Sequence, residues 1–249
     1  VPTPDVPPPP SGRGVPVPRL GDALLGLLAF LGAQLVVGGA GVAVLAVLGI
    51  EPAGAALLAV VVAAQLASGL AIVAVVALGR RPLRILLGEV APRLEQVGHG
   101  LAVGLVGLVG AYGINALLLR LSGSAEPVEQ LVLEELASGA LAVALGALAA
   151  VVLAPITEEV LFRVLLLGAL RHRVGDVPAL VGSTLAFTIA HAEVATSQPL
   201  ALVGLGALGL LLGISYLRSR SVVVPVVAHA TFNAASLTFA LVASRLGLG

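Results

Sequence analysis

The sequence predicts an all-α fold, a polytopic membrane helical bundle of about six to eight transmembrane helices, and three observations carry that prediction. Charged side chains make up only 10% of the 249 residues, against 59% hydrophobic, and mean hydropathy is +1.12. A soluble domain needs roughly 25% charge to face water, so most of this chain must face lipid. The apolar residues also come in long runs, several near the ~20 residues that cross a hydrocarbon core. Finally, Gly and Ala recur inside those runs, and small residues let helix backbones approach closely in lipid.

Residues 1–20 read as a disordered, Pro-rich tail carrying Pro2, Pro4, Pro7 to Pro10, Pro16 and Pro18. Residues 21–249 read as the membrane domain. Its first apolar run, 23–50, far exceeds the 7–15 residues of a signal-peptide core and is expected to be an uncleaved anchor. Further runs occupy 53–79, 101–119, 136–154, 155–170, 177–192, 200–217 and 222–244. The runs 155–170 and 177–192 are short and hold ionisable residues, so half-spans, tilted helices and a helix broken at Pro155 are all open readings.

Arginine sets the expected orientation. Arg80, Arg81, Arg84 and Arg93 lie in an 80–100 loop, Arg171 and Arg173 in the next basic loop, Arg218 and Arg220 in the last. The 120–135 loop instead carries Glu126, Glu129, Glu134 and Glu135. The positive-inside rule puts the Arg-rich loops and the N-terminus in the cytoplasm. All 13 basic residues are Arg, which suggests a GC-rich bacterial genome and hence an inner (cytoplasmic) membrane. Zero formal charge gives no sign of a nucleic-acid partner, and the absence of Cys excludes thiolate chemistry and Cys-bound zinc.

Chemistry is sought where ionisable groups enter apolar runs, because a central charge costs about 2.5–3.5 kcal/mol on the insertion scale. Glu158, Glu159 and Arg163 lie in one run, His191 ends another, and His229 and Asn233 lie in the last. Thr157 can cap a new helix just after Pro155, with Glu158 and Glu159 in its first turn. Glu159 and Arg163 are four apart and can pair on one face; His229 and Asn233, and Phe187 and His191, repeat the spacing. At 1.5 Å per residue, Glu158 and His191 lie roughly 20 Å from the nearest Arg-rich loop and His229 roughly 12 Å, which makes a buried polar site.

These residues resemble the CPBP family of intramembrane proteases, the CAAX-protease and bacteriocin-processing (Abi) enzymes. Glu158-Glu159-Val-Leu-Phe-Arg163 is similar to its EExxxR motif, Phe187-Thr-Ile-Ala-His191 to FxxxH, and His229-Ala-Thr-Phe-Asn233 to HxxxN. The resemblance covers about 140–240, the expected catalytic core. It implies an endopeptidase that hydrolyses a membrane-associated, in some relatives lipidated, peptide or protein. Glu158 is then the general base, His191 orients or deprotonates the water, His229 and Asn233 donate to the oxyanion, and Glu159 with Arg163 braces the site. A metal reading stays open beside it. Glu158, His191 and His229 would make a His₂Glu set for a divalent metal such as zinc, with one position free; the base-plus-oxyanion reading needs no cofactor.

The competing class is a non-enzymatic membrane protein, either a transporter with a proton relay or an immunity or scaffold protein. Taken singly, Glu159 and Arg163 would be a structural ion pair and the histidines interhelical glue. His99 and His172 read as solvated loop residues, Glu134 and Glu135 as surface acidity, and Tyr112, Asn115 and Tyr216 as interface or packing residues.

Overall fold

The structure, a computed structural model, describes residues 17–89, 91, 93–123, 136, 138–191 and 199–246. The acidic segment with Glu126 to Glu135 and most of the Pro-rich tail lie outside the described residues. Among those described, seven helices form the bundle and no strand occurs: α1 (Leu20–Val47), α2 (Gly54–Leu78), α3 (Glu95–Ser122), α4 (Ala140–Val174), α5 (Asp176–Ala190), α6 (Ala201–Ser219) and α7 (Val223–Leu246). All but the 15-residue α5 are long and apolar enough to cross a membrane. The expected all-α membrane bundle is what the chain forms.

α4 corrects the expectation that Pro155 might start a new helix. The runs 136–154 and 155–170 are one helix, alternating α and π winding: π over Leu148–Leu153, α over Ala154–Glu159, π again over Val160–Leu167. In the first π stretch each N–H reaches five residues back, as Ala154 N–H does to the Ala149 carbonyl. The next carbonyl, on Ala150, would wait for position 155, and proline has no N–H to give. The Asn233 side-chain amide from α7 donates to it instead, at 2.7 Å. The helix therefore runs on without breaking. Thr157 is not a cap, since Leu153 holds the cap position of that segment without a side-chain bond, and the two glutamates sit in mid-helix rather than at a helix entrance.

The other helices wrap α4. α1 and α2 pair as a hairpin, and Phe30, Ile72 and Val76 bury themselves against Leu161, Phe162 and Leu165 of α4 and Phe187 of α5. On the opposite side α3 packs on α7 and α6. Gly104 makes this approach possible: a Cβ there would meet the Ala228 carbonyl at 2.5 Å and the Thr231 Cβ at 2.7 Å. Gly209 of α6 similarly leaves room for the Phe187 ring, which a Cβ would meet at 3.0 Å.

The Arg-rich segments gather at one end of the bundle. Glu89 accepts from Arg171 at 2.7 Å and Arg220 at 2.9 Å, and Arg171 also reaches Asp176 at 3.1 Å. Gly88, at φ +85°, turns the α2–α3 connection onto the α6–α7 turn, where Glu89 N–H donates to the Arg220 carbonyl. Two loop assignments change. His99 is exposed in the first turns of α3, and Arg171, His172 and Arg173 form the last turn of α4, where cations favour the helix dipole.

Candidate active site

Glu158 and Glu159 are adjacent on α4, so their side chains leave the helix about 100° apart and address different neighbours. Both are buried, and Arg163 is wholly so. Short π segments often mark functional sites, and here two of them bracket the six residues that carry both acids.

Glu159 is held on both oxygens. Its Oε2 lies 3.1 Å from Arg163 Nε, an ion pair by distance in which the N–H is not aimed well enough for a hydrogen bond. Its Oε1 lies 2.9 Å from His229 Nδ1. Burying a lone carboxylate would cost several kcal/mol, and the arginine and the imidazole offset that cost. With Nδ1–H on Glu159, the His229 ring presents Nε2 outward.

Arg163 is fixed in turn by α5. Its Nη1 donates to Ser183 Oγ at 3.3 Å, and that hydroxyl donates to the Phe162 carbonyl at 2.7 Å. The guanidinium also stands 4.9 Å from the Phe187 ring centroid. Ser183 was missed by sequence reasoning. Its signal was present, because Ser183, Phe187 and His191 repeat at four-residue spacing on one face of α5.

His191 closes α5. Its Nδ1 lies 2.8 Å from the Phe187 carbonyl, which can only accept, so Nδ1 donates and Nε2 is the nitrogen turned to Glu158. That Nε2 is 3.6 Å from Glu158 Oε2, and Glu158 Oε2 has no hydrogen-bond partner among the described residues. The gap is too long for a direct bond. Phe187 joins the two halves of the site, with its ring 4.7 Å from the His191 ring and 5.9 Å from that of His229.

The acid pair, Arg163, His191 and His229 are thus brought together by α4, α5 and α7. Asn233 lies one turn beyond His229, and one of its amide hydrogens is occupied by the Ala150 carbonyl. The other remains to be used. A cavity lined by Ile85, Glu89, Val164, His172 and Tyr216 opens at the Arg-rich end and does not include Glu158.

The metal reading was tested on the same geometry. Among the described residues no three His, Asp or Glu side chains gather around one point as a metal requires. Glu158 faces His191, whereas His229 is turned to Glu159. The arrangement as it stands does not fit the His₂Glu set.

Comparison with known proteins agrees with the motifs. Residues 140–235 match the family described as type II CAAX prenyl endopeptidase Rce1-like. This segment, α4 to the first turns of α7, carries Glu158, Glu159, Arg163, Ser183, His191, His229 and Asn233, and it supports the resemblance to the CPBP and CAAX-protease family. No curated protein and no solved structure matches the chain.

Proposed function

From the Rce1-like domain at residues 140–235, we propose that the chain is a glutamate-dependent intramembrane endopeptidase acting on a membrane-associated peptide. The observation that carries this reading is the Glu158 and His191 pair: a buried carboxylate oxygen without a hydrogen-bond partner among the described residues, 3.6 Å from the imidazole Nε2.

A water gives one hydrogen bond to Glu158 and the other to His191 Nε2. Glu158 takes its proton as the oxygen attacks the scissile carbonyl carbon. The tetrahedral oxyanion accepts from His229 Nε2–H and from the second amide hydrogen of Asn233. To donate from Nε2 while Nδ1–H bonds Glu159, the His229 ring carries both protons, and the Glu159 carboxylate balances that charge. Glu159 is itself aligned by Arg163. When the C–N bond breaks, Glu158 returns its proton to the leaving amine, and the acid product departs. Each role matches the chemistry of the atom assigned to it.

The Arg-rich end, on this proposal, faces the cytoplasm of a bacterial inner membrane, with the N-terminus on the same side. The substrate class is a peptide anchored to lipid; the family's description makes a prenylated CAAX peptide the first probe. The test uses purified full-length chain in lipid nanodiscs and a quenched fluorescent peptide ending in a farnesylated CAAX sequence. Cleavage should occur, persist in chelator, and fall about 10³-fold in Glu158→Gln. Activity that vanishes with chelator and returns with zinc would replace the glutamate-only mechanism by the metal one. A Glu158→Gln protein as active as the parent would remove the enzyme and favour a scaffold.

A further inference from the structure

Above the acid pair, towards the end of the bundle opposite the arginines, lies a second polar layer that the mechanism does not use. Gln65 of α2 and Ser236 of α7 each bury an oxygen, Oε1 and Oγ, that has no hydrogen-bond partner among the described residues. Buried polar atoms in lipid are costly unless paired, because no water is at hand to satisfy them. Two on different helices that both pack on α4 call for an explanation.

Their placement is fixed by neighbouring contacts. Leu58, Gln65 and Gly69 fall within about 40° on the α2 helical wheel. Leu58 approaches Gly146 of α4, and Gly69 approaches Thr157. Gln65, seven residues after Leu58, therefore faces the Leu148–Leu153 π stretch of α4. On α7, His229, Asn233 and Ser236 fall within about 60° of one another, and Asn233 contacts that same stretch through the Ala150 carbonyl. α2 and α7 each pack on α4 yet make little contact with each other. Gln65 and Asn233 therefore meet the same stretch of α4 from two different helices, with Ser236 one turn beyond Asn233. Leu136 crowds Gly146 beside Leu58, and Leu237 and Leu241 of α7 pack on the same cluster.

We propose that this layer is the subsite that holds the backbone of the substrate's scissile segment in an extended form, with Gln65 Oε1 accepting a substrate N–H and Ser236 Oγ donating to a substrate carbonyl. The proposal rests on the peptidase reading above. A segment presented for hydrolysis must leave its helix, and its freed amides then need partners at membrane depth. One unpaired acceptor and one unpaired hydroxyl, in line with the oxyanion donors His229 and Asn233 on α7, supply them. Gln65 and Ser236 are positioning residues; neither touches the reacting atoms.

The experiment measures binding and turnover of the farnesylated CAAX peptide by the full-length chain in nanodiscs. A matched set of peptides carries a single ester in place of each amide near the cleavage site, which removes one N–H at a time. Gln65→Met, nearly isosteric and apolar, should raise KM about tenfold with kcat within about twofold, and should leave Tm unchanged or higher, since it removes an unpaired oxygen. One ester should weaken binding to the parent by a similar factor and have no effect on Gln65→Met. Ser236→Ala should raise KM in the same way. Parent cleavage with unchanged KM in both variants, or ester effects identical in parent and Gln65→Met, overturns the subsite and leaves the peptidase standing. A lower Tm together with a lower kcat in Gln65→Met also overturns it, by making Gln65 a structural residue. A parent that neither binds nor cleaves any of the peptides overturns the peptidase reading and this one with it.

Discussion

The two halves of the chain are both apolar and differently organised. In α1 to α3 the few polar groups tie helix to helix: Ser68 of α2 donates to the Phe30 carbonyl of α1 at 3.4 Å, and Asp22 pairs with Arg81 at 3.3 Å near the Arg-rich end. In α4 to α7 buried polar groups meet in pairs, with Glu158, Glu159, Arg163, Ser183 and His229 all sealed from solvent. The first half is a lipid-facing wall whose energetics rest on packing. The second maintains charge inside hydrocarbon, which needs a closed network of partners, and such networks are kept where chemistry is done. Substitutions should separate these two regimes.

The largest effect is expected in the network. Arg163→Met leaves the Glu159 carboxylate buried with His229 alone, and breaking a buried pair costs about 3–5 kcal/mol. The variant should lose that stability in a thermal-unfolding assay in detergent and lose turnover with it. Glu158→Gln makes the contrast within the same helix turn. Glu158 Oε2 has no partner to lose, so activity should fall about 10³-fold while Tm stays within a degree or two of the parent. If Arg163→Met is as stable as the parent, the network is not what holds the site.

An intermediate effect is expected at the joint between the halves. Asn233→Leu leaves the Ala150 carbonyl without a donor beside Pro155, an unmade hydrogen bond worth about 1–3 kcal/mol. Because the same amide anchors α7 to α4 one turn from His229, kcat should fall as well. Gly104→Ala should cost about 1–3 kcal/mol by overpacking, since its Cβ would meet the Ala228 carbonyl at 2.5 Å, and α7 must shift to admit it. Thermal unfolding checks both, and a Gly104→Ala protein with parental Tm would mean that α3 and α7 pack more loosely than the structure shows.

How much of this was legible in the sequence follows the same division. The membrane bundle was legible throughout, because hydropathy alone decides which solvent a run faces. The site was legible in α4, α5 and α7, because four-residue spacing puts Glu159 with Arg163 and Phe187 with His191 on common faces, and three such pairs lie in runs where charge is costly. What spacing could not show was which acid meets which imidazole: the Glu159 and His229 contact spans 70 residues. Nor could it show that Pro155 would be absorbed. The local rule ends a helix there, and a side-chain amide from another helix overrides it. In α1 to α3 the uniform Ala, Val and Leu usage has almost no periodic signal, so Gln65 stood out only once its neighbours on α4 were fixed.

The smallest effect is the sharpest test of the lipid-facing wall. Leu35 lies in mid-α1 and is 77% exposed, with no core cluster behind it. In water such a leucine would be a liability, but in a bilayer its side chain sits in acyl chains both before and after helix association, so its truncation forfeits little packing. Leu35→Ala should change Tm by no more than the equivalent of about 0.5 kcal/mol and leave turnover unaltered. Phe30, five residues earlier on the same helix, is 6% exposed and meets the Phe162 ring edge-on at 6.4 Å; Phe30→Ala should cost about 3–5 kcal/mol. A Leu35→Ala protein as damaged as Phe30→Ala would mean that α1's outer face is covered by protein, and that the wall drawn here is an interface.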